Sequence, residues 1–315
     1  MDRSDINRIF LGKTVPSQNP GLRGATQCGA QVTSLDLSNN ALGEQGAAAV
    51  SKALRCLEPR PAHQREGMVS HCRLTHLDLG GNFGPHDWDS LERCDNGGDA
   101  GRALELLCAA LQSPQCHSLT SLGLKGNQFT DEGGETCGRC LAEALETPHC
   151  RLTYLDLSDN ELDWTSARFL AGALKSPHCR LAALLLRGNV VEGHANPGGF
   201  GGFGKELAEA LQSPHCGLTT LDLSSNYMDH SDGSSLAKAL RSEHCRLTDL
   251  DLSDNSLANP FPESTLQSGL MNRAWWDDNE RNRAYDDLAG AVHASHCRLA
   301  SLRLANMDAE NGLGP

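Results

Sequence analysis

Histidine is followed directly by cysteine, another common metal-binding residue, at six places in this chain of 315 residues. These His-Cys pairs stand at 71–72, 149–150, 178–179, 215–216, 244–245 and 296–297. Zinc needs four ligands that converge on one point, whereas each pair is a full repeat away from the next. Adjacent residues of an extended segment point to opposite sides. We therefore expect a buried cysteine and an exposed histidine in each pair.

A single CxxC motif, Cys137-Gly138-Arg139-Cys140, falls in a helical stretch. No second pair accompanies it, and no thioredoxin-like context surrounds it. The sequence also lacks a Ser-His-Asp set in a nucleophile-elbow context and an HExxH helix. We therefore predict a non-catalytic protein with no metal site and no cofactor.

Aspartate recurs between two leucines, in a Leu-Asp-Leu pattern, at Asp36, Asp78, Asp156, Asp222 and Asp251. Side chains alternate along a strand, so both leucines should point inward and the aspartate outward. Parallel copies would then form a ladder of carboxylates on one face, which suits a basic protein partner. The alternative is that aspartate is simply the ordinary residue of this repeat.

Two other groups are candidate partner-binding residues. Lys125 and Arg187 interrupt the ladder near Tyr154, and we expect both cations to pair with Asp156. Trp275 and Trp276, half of the tryptophans in the chain, lie among Asp, Asn and Arg residues, and tryptophan is a frequent anchor of binding hot spots. The alternative for the two tryptophans is that they fold back and cover adjacent helices.

The Leu-x-Leu pattern recurs eight times, with its first leucine at Leu35, Leu77, Leu122, Leu155, Leu184, Leu221, Leu250 and Leu302. In seven copies an asparagine follows the second leucine by three residues, and we predict that its amide satisfies the backbone where the chain turns. An apolar helical stripe such as Phe169-Leu170-Ala173-Leu174 comes next, and Ser-Pro or Thr-Pro then ends the helix. Each unit is therefore predicted to be a strand followed by a helix.

The motif LTxLDLSxNxL followed by LAxALxSPHCRL resembles the leucine-rich repeats of ribonuclease inhibitor and of the C-terminal arrays of NOD-like receptors. The resemblance covers roughly residues 28–307. It implies an α/β leucine-rich-repeat solenoid, a curved horseshoe with parallel β-strands on the concave face and α-helices on the convex face. Residues 1–27 are predicted to be a poorly ordered N-terminal segment, and 308–315 a C-terminal tail.

The repeats vary in length. Successive first leucines are separated by 42, 45, 33, 29, 37, 29 and 52 residues, so a unit of about 29 residues carries insertions. We place them at about 57–70, 83–99, 128–137, 190–204 and 258–287, the last four between strand and helix on one edge of the horseshoe. Insertions on one edge commonly form a binding face. The alternative is neutral drift, because long surface loops are tolerated.

Composition limits the functions that this chain can have. A net charge of −13 argues against nucleic acid as a partner, and no apolar stretch approaches the roughly 20 residues of a membrane span. Thirteen cysteines without a signal-peptide pattern suggest reduced thiols and a cytoplasmic location. The leading hypothesis is a protein-binding scaffold or regulator. The alternatives are a GTPase-activating protein resembling the Ran-directed family and an enzyme inhibitor similar to ribonuclease inhibitor.

Overall fold

The computed structural model describes residues 32–55, 73–84, 100–129, 135–189, 202–257 and 283–305. Within these ranges, short strands alternate with helices along the chain. The strands are β1 (Ser34–Asp36), β2 (His76–Asp78), β3 (Ser121–Gly123), β4 (Tyr154–Asp156), β5 (Ala183–Leu185), β6 (Thr220–Asp222), β7 (Asp249–Asp251) and β8 (Ser301–Arg303). The helices are α1 (Gly43–Leu54), α2 (Ala100–Leu111), α3 (Glu135–Leu145), α4 (Trp164–Leu174), α5 (Phe203–Leu211), α6 (His230–Leu240) and α7 (Arg283–Val292).

The eight strands form one parallel sheet in the order β1 to β8. The first leucine of every Leu-x-Leu pattern lies opposite the first leucine of the next, from Leu35 opposite Leu77 to Leu250 opposite Leu302. Parallel neighbours need a crossover connection, and a helix supplies it in each repeat. The predicted α/β solenoid is therefore confirmed, including all eight strands.

Leucine and alanine build the core between sheet and helices. Both leucines of an inner repeat are buried, as Leu155 and Leu157 show, whereas Asp156 between them is partly exposed. Alanines such as Ala144 and Ala173 are completely buried, and neighbouring helices pack against one another along the array. A core of thin, repeated layers therefore needs few aromatic residues, which agrees with their share of 4%.

The asparagine at the end of each strand has the predicted role. The Asn160 Nδ2 donates to the carbonyl oxygens of Leu157 in its own repeat and Leu124 in the preceding one, each at 2.9 Å. Its Oδ1 accepts the backbone N–H of Asn127 at 2.7 Å. Equivalent bonds link Asn82, Asn127, Asn189, Asn226 and Asn255 to the repeats beside them. In the six repeats from Asn82 to Asn255, one buried amide thus satisfies backbone groups that the turn leaves unpaired.

The edges of the predicted insertions belong to the repeats themselves. Phe129, which falls within the range 128–137, is 1% exposed and stacks on Phe83 with ring centroids 6.3 Å apart. Helix α5 begins at Phe203 and α7 at Arg283, so both reach into ranges that we assigned to insertions. The reason is that the aromatic after the turn and the first helical turn are both part of the core layer. The predicted first insertion, the remainder of the others and the segments 1–27 and 308–315 lie outside the described residues.

The helices of the described ranges include none that is long and apolar enough to cross a membrane.

Candidate functional site on the strand face

The predicted ladder of carboxylates exists along the exposed face of the sheet. Strand pairing places Asp36 opposite Asp78, and Asp222 opposite Asp251. Gly123 and Leu185 stand at the same position in β3 and β5, so Asp156 lies between two uncharged residues. The row is therefore acidic on β1 and β2 and on β6 and β7, uncharged on either side of Asp156, and ends in Arg303 on β8.

Each aspartate of the ladder also accepts a backbone hydrogen bond at the end of its own strand. The carboxylate Oδ1 accepts the backbone N–H of the residue two positions later, at 2.9 to 3.0 Å, in Asp36, Asp78, Asp156, Asp222 and Asp251. This is the local turn that aspartate favours. The Ser38 hydroxyl and N–H lower the pKa of Asp36 below its usual value by donating to it. The aspartates thus have a structural role, which the Asp-x-Ser spacing of the sequence could have indicated.

The cations of this face pair with other carboxylates than predicted. The Lys125 Nζ lies 3.2 Å from Asp159, and the Arg187 guanidinium lies 3.8 Å from Asp254. The predicted pairing of Lys125 and Arg187 with Asp156 is therefore wrong. Both cations occupy the position after the second leucine, two residues beyond the ladder position, and their acidic partners lie in the turns after β4 and β7. Because these pairs are about half exposed, each should contribute little to stability.

One arginine binds directly to the ladder. The Arg303 Nη1 on β8 donates to Asp251 Oδ2 at 3.2 Å, while Asp251 Oδ1 accepts the N–H of Ser253. Burial raises the pKa of Asp251, but the Ser253 hydrogen bonds and the charge of Arg303 outweigh it and lower the pKa below its usual value. Asp251 therefore uses one oxygen for the fold and the other for a cation.

For the other four ladder aspartates, no hydrogen bond from a described residue reaches the second oxygen. Asp36, Asp78, Asp156 and Asp222 have the same bond from Oδ1 to the backbone, and no cation of the described ranges pairs with them. The hydrogen bond that fixes Oδ1 in these four residues is the same as the one in Asp251, but no arginine of the described ranges reaches their second oxygen. Each of these four carboxylates on the strand face therefore has an oxygen that can accept a hydrogen bond from a positively charged group.

Tyr154 lies near the middle of this row. Burial raises the pKa of its hydroxyl, and the charges of Asp156 and Asp78 raise it further, so the ring lies within electrostatic reach of both carboxylates. Gly123, between these two aspartates, has no side chain, and a Cβ there would meet Asp78 Oδ1 at 2.8 Å. The Asp78 carboxylate therefore lies over β3 at Gly123. An aromatic ring flanked by two carboxylates favours a guanidinium or ammonium group.

Other candidates have different outcomes. Trp275 and Trp276 lie outside the described residues, and their role stays a prediction. Tyr227 was not among the predicted site residues, yet it is 58% exposed in a left-handed backbone conformation with φ of 52°. Nothing in the sequence marked it, because its exposure follows from the turn conformation after Asn226.

Three of the six His-Cys pairs have the expected buried cysteine and exposed histidine, and the pair at 71–72 lies outside the described residues. Cys150 is 3% exposed while His149 is exposed, and this division recurs at Cys216 and Cys245. Cys179 and Cys297 are partly exposed. Within the described ranges, no group of three or more His, Cys, Asp or Glu residues could hold a metal ion.

Comparison with known proteins supports the repeat class. The family model described as "Leucine Rich repeat" matches residues 32–51, 115–136 and 149–171. Together with the parallel sheet and the asparagine ladder, these matches define a protein built of leucine-rich repeats. No curated protein matches the chain.

Several solved structures are similar to the chain. The leucine-rich repeat-containing protein LegL7 from Legionella pneumophila is 22% identical, with a TM-score of 0.44 over 87% of this chain and 74% of that one. TLR13 in complex with ssRNA13 is 20% identical, with a TM-score of 0.33 over 60% of this chain and 26% of that one. An internalin, InlF, from Listeria monocytogenes is 13% identical, with a TM-score of 0.19 over 96% and 94% of the two chains.

Proposed function

We propose that this protein is a non-catalytic scaffold that holds a basic protein partner on its concave strand face. The observation that carries the proposal is the contact between Arg303 and Asp251. It is an example, within the chain itself, of how an arginine binds to the ladder. Asp36, Asp78, Asp156 and Asp222 repeat the arrangement without the arginine, so side chains of a partner could take the same position.

Preorganisation and charge support this proposal. Each ladder carboxylate is already fixed by a backbone N–H, so little side-chain entropy is lost when a cation binds. Tyr154 adds an aromatic surface of the kind enriched in binding hot spots. A net charge of −13 would also accelerate the encounter with a basic partner. The predicted edge loop with Trp275 and Trp276 is part of the same proposal, as a second contact region.

The finer assignments are also proposals. The repeat motif supports a similarity to ribonuclease inhibitor and to NOD-like receptor arrays, and thirteen cysteines support a reducing, cytoplasmic location. A basic enzyme inhibited on the acidic face is one specific form of the scaffold. Stimulation of GTP hydrolysis is the alternative that would make the protein part of a catalytic complex.

The concave face is tested with a synthetic arginine-rich peptide and two variants of equal charge. Asp156→Asn with Asp222→Asn removes two ladder charges but keeps an oxygen for each backbone N–H. Glu143→Gln with Glu146→Gln removes two exposed charges from α3 and its end, on the helix side. Isothermal titration calorimetry should show at least tenfold weaker binding, about 1.4 kcal/mol, for the ladder variant alone. Equal weakening in both would mean that only net charge matters, and would overturn the assignment of the concave face.

The natural partner is then identified by photo-crosslinking. A photoreactive amino acid at Tyr154 should capture the partner in a cell extract, and the same group at Trp275 asks whether the edge loop contacts it too. Assays of ribonuclease inhibition and of GTP hydrolysis by candidate GTPases distinguish the specific alternatives. Stimulated GTP hydrolysis would contradict the non-catalytic assignment.

A further inference from the structure

Two cysteines on neighbouring helices bring their sulfur atoms to 3.4 Å from each other. Cys108 lies in the last turn of α2, and Cys140 in the middle of α3. In the sequence, Cys140 forms a CxxC motif with Cys137 and not with Cys108. In the structure, the Cys140 thiol donates to the Cys137 carbonyl oxygen at 3.4 Å, which is a helical backbone contact. The sulfur-to-sulfur contact of Cys140 is therefore with Cys108, which belongs to the preceding repeat.

The two thiols differ in their access to solvent. Cys108 is 2% exposed, whereas Cys140 is partly exposed. The hydrogen bond to Cys140 raises the pKa of Cys108 well above its usual value, and burial and the nearby thiols raise it further. A thiol that is buried and hard to ionise does not react first with a dissolved oxidant. Cys140 is therefore the side chain that such an oxidant would meet.

We propose that Cys140 is an oxidation site, with Cys108 as its resolving cysteine, and that a peroxide converts the pair into a reversible disulfide between α2 and α3.

The chemistry balances with one peroxide molecule. The Cys140 thiolate attacks a peroxide oxygen, an S–O bond forms, and the O–O bond breaks to release hydroxide, which leaves as water. The sulfur of Cys108 then attacks the sulfur of the Cys140 sulfenic acid. An S–S bond forms, the S–O bond breaks, and the departing hydroxide takes the Cys108 proton as a second water. Two thiols and hydrogen peroxide thus give one disulfide and two water molecules.

The geometry favours this reaction over further oxidation of Cys140. A disulfide needs the sulfur atoms about 2.05 Å apart, so the pair must approach by a little more than 1 Å from its present contact. Side-chain rotation within two packed helices can supply such a movement. A sulfenic acid next to a thiol condenses to a disulfide rather than accumulating. The close contact between the two repeats therefore protects Cys140 from irreversible oxidation.

The disulfide would have a defined structural effect. Helices α2 and α3 precede and follow β3, the strand that carries Gly123, so the bond closes this segment into a covalent loop. Such a loop restricts the unfolded chain and stabilises the folded one. The oxidised protein should therefore melt at a higher temperature than the reduced protein, and dithiothreitol should reverse the change.

Peptide mapping of the full chain tests the proposal. The reduced protein is treated with a small excess of hydrogen peroxide, blocked with N-ethylmaleimide, digested and analysed by mass spectrometry. A peptide pair joined through Cys108 and Cys140, and separated by dithiothreitol, is expected. Cys108→Ser should leave a sulfenic acid at Cys140 that dimedone traps, and Cys140→Ser should leave Cys108 reduced. Cys137→Ser is the matched control on α3, buried at 1% exposure, and should keep the cross-link.

Several outcomes would overturn the proposal. A bond between Cys137 and Cys140, or sulfinic acid at Cys140 without any bond to Cys108, would exclude Cys108 as the resolving residue. Persistent oxidation of Cys108 in Cys140→Ser would exclude Cys140 as the first site. The mapping of the wild-type protein decides the pairing even if a variant fails to fold.

Discussion

A single residue, Asn160, links three successive repeats: its side chain bonds to its own repeat and the preceding one, and its backbone N–H bonds to the following one. It donates to the carbonyl oxygens of Leu124 and Leu157, accepts from the N–H of Asn127, and its own N–H donates to Asn189 Oδ1 at 3.1 Å. The residue is completely buried. Removing its amide would leave several backbone groups without partners in a site that water does not reach, and buried unsatisfied groups are expensive.

We predict that Asn160→Ala lowers the free energy of unfolding by about 2 to 4 kcal/mol. Urea denaturation followed by circular dichroism measures the loss. Asn40→Ala is the matched control, because Asn40 is the first asparagine of the ladder and is only partly buried. It should cost about half as much or less, since solvent can reach the groups that it leaves. An equal loss in both variants would contradict the role of burial.

Residue-level roles were only partly predictable from the sequence. The spacing of Asn160 after its leucines was sufficient to predict a backbone role, because seven of the eight copies repeat it. The outward direction of Asp156 also followed from alternation. Its bond to the Ser158 N–H was not predicted, although the Asp-x-Ser pattern carried the signal. The partners of Lys125 depend on which turn lies nearest in the next repeat, and the sequence alone does not give that distance.

At the scale of elements, one aspartate caps a helix that is not its own. Helix α5 begins after Gly202, which has no side chain to accept its first N–H groups. Asp232, in the first turn of α6, accepts the N–H groups of Gly202 and Lys205 at 3.0 and 2.9 Å. Asp232 also completes a capping box with Asp229. The starts of two neighbouring helices therefore depend on one buried carboxyl group.

Asp232 should make stability depend on pH. Burial raises its pKa to about 6, and the charge of Asp229 adds to this, while the N–H groups of Gly202, Lys205 and Asp229 oppose it. Because this value lies above the ordinary 3.8, the folded state favours the protonated form. The stabilisation is complete below about pH 4 and is lost as pH rises through 6.

We predict that Asp232→Asn raises the melting temperature at pH 8 and leaves it nearly unchanged at pH 4. Asparagine keeps an oxygen for the N–H groups of Gly202 and Lys205 but carries no charge. Thermal unfolding from pH 4 to 8 measures the difference. Asp286→Asn, an exposed residue in the first turn of α7, controls for the loss of one negative charge. A lower melting temperature for Asp232→Asn across the whole range would mean that the ionised carboxylate stabilises the helix starts.

The order of the elements was predictable, but several contacts between them were not. Leu-x-Leu and the alanine-leucine helix pattern gave every strand and its register, because each repeat must bury the same faces. The contact of Asp232 with Gly202 begins within one predicted insertion, 190–204, and the contact of Cys108 with Cys140 spans another, 128–137. An insertion removes the fixed spacing from which a helix register is inferred. Local periodicity therefore could not reveal these contacts.

At the scale of the whole molecule, the solenoid is one-dimensional, and its inner repeats differ from its last described one. Leu240, the last residue of α6, is 1% exposed, whereas Val292, the last residue of α7, is 39% exposed. Leu221 in β6 is 1% exposed, and Leu302, its equivalent in β8, is only partly buried. Each repeat is buried by its two neighbours, and within the described residues β8 and α7 have a neighbour on one side only.

The same substitution should therefore have different effects along the array. We predict that Leu221→Ala lowers the free energy of unfolding by about 2 to 5 kcal/mol, the range for a leucine deleted from a tight core. Leu302→Ala should cost less than half as much, because its site is already partly open to water. Urea denaturation of both variants at several protein concentrations measures the two losses. Equal losses that do not vary with concentration would mean that residues of this chain outside the described ranges cover Leu302. An effect of Leu302→Ala that grows with protein concentration would instead point to a second copy packed on the end of the array.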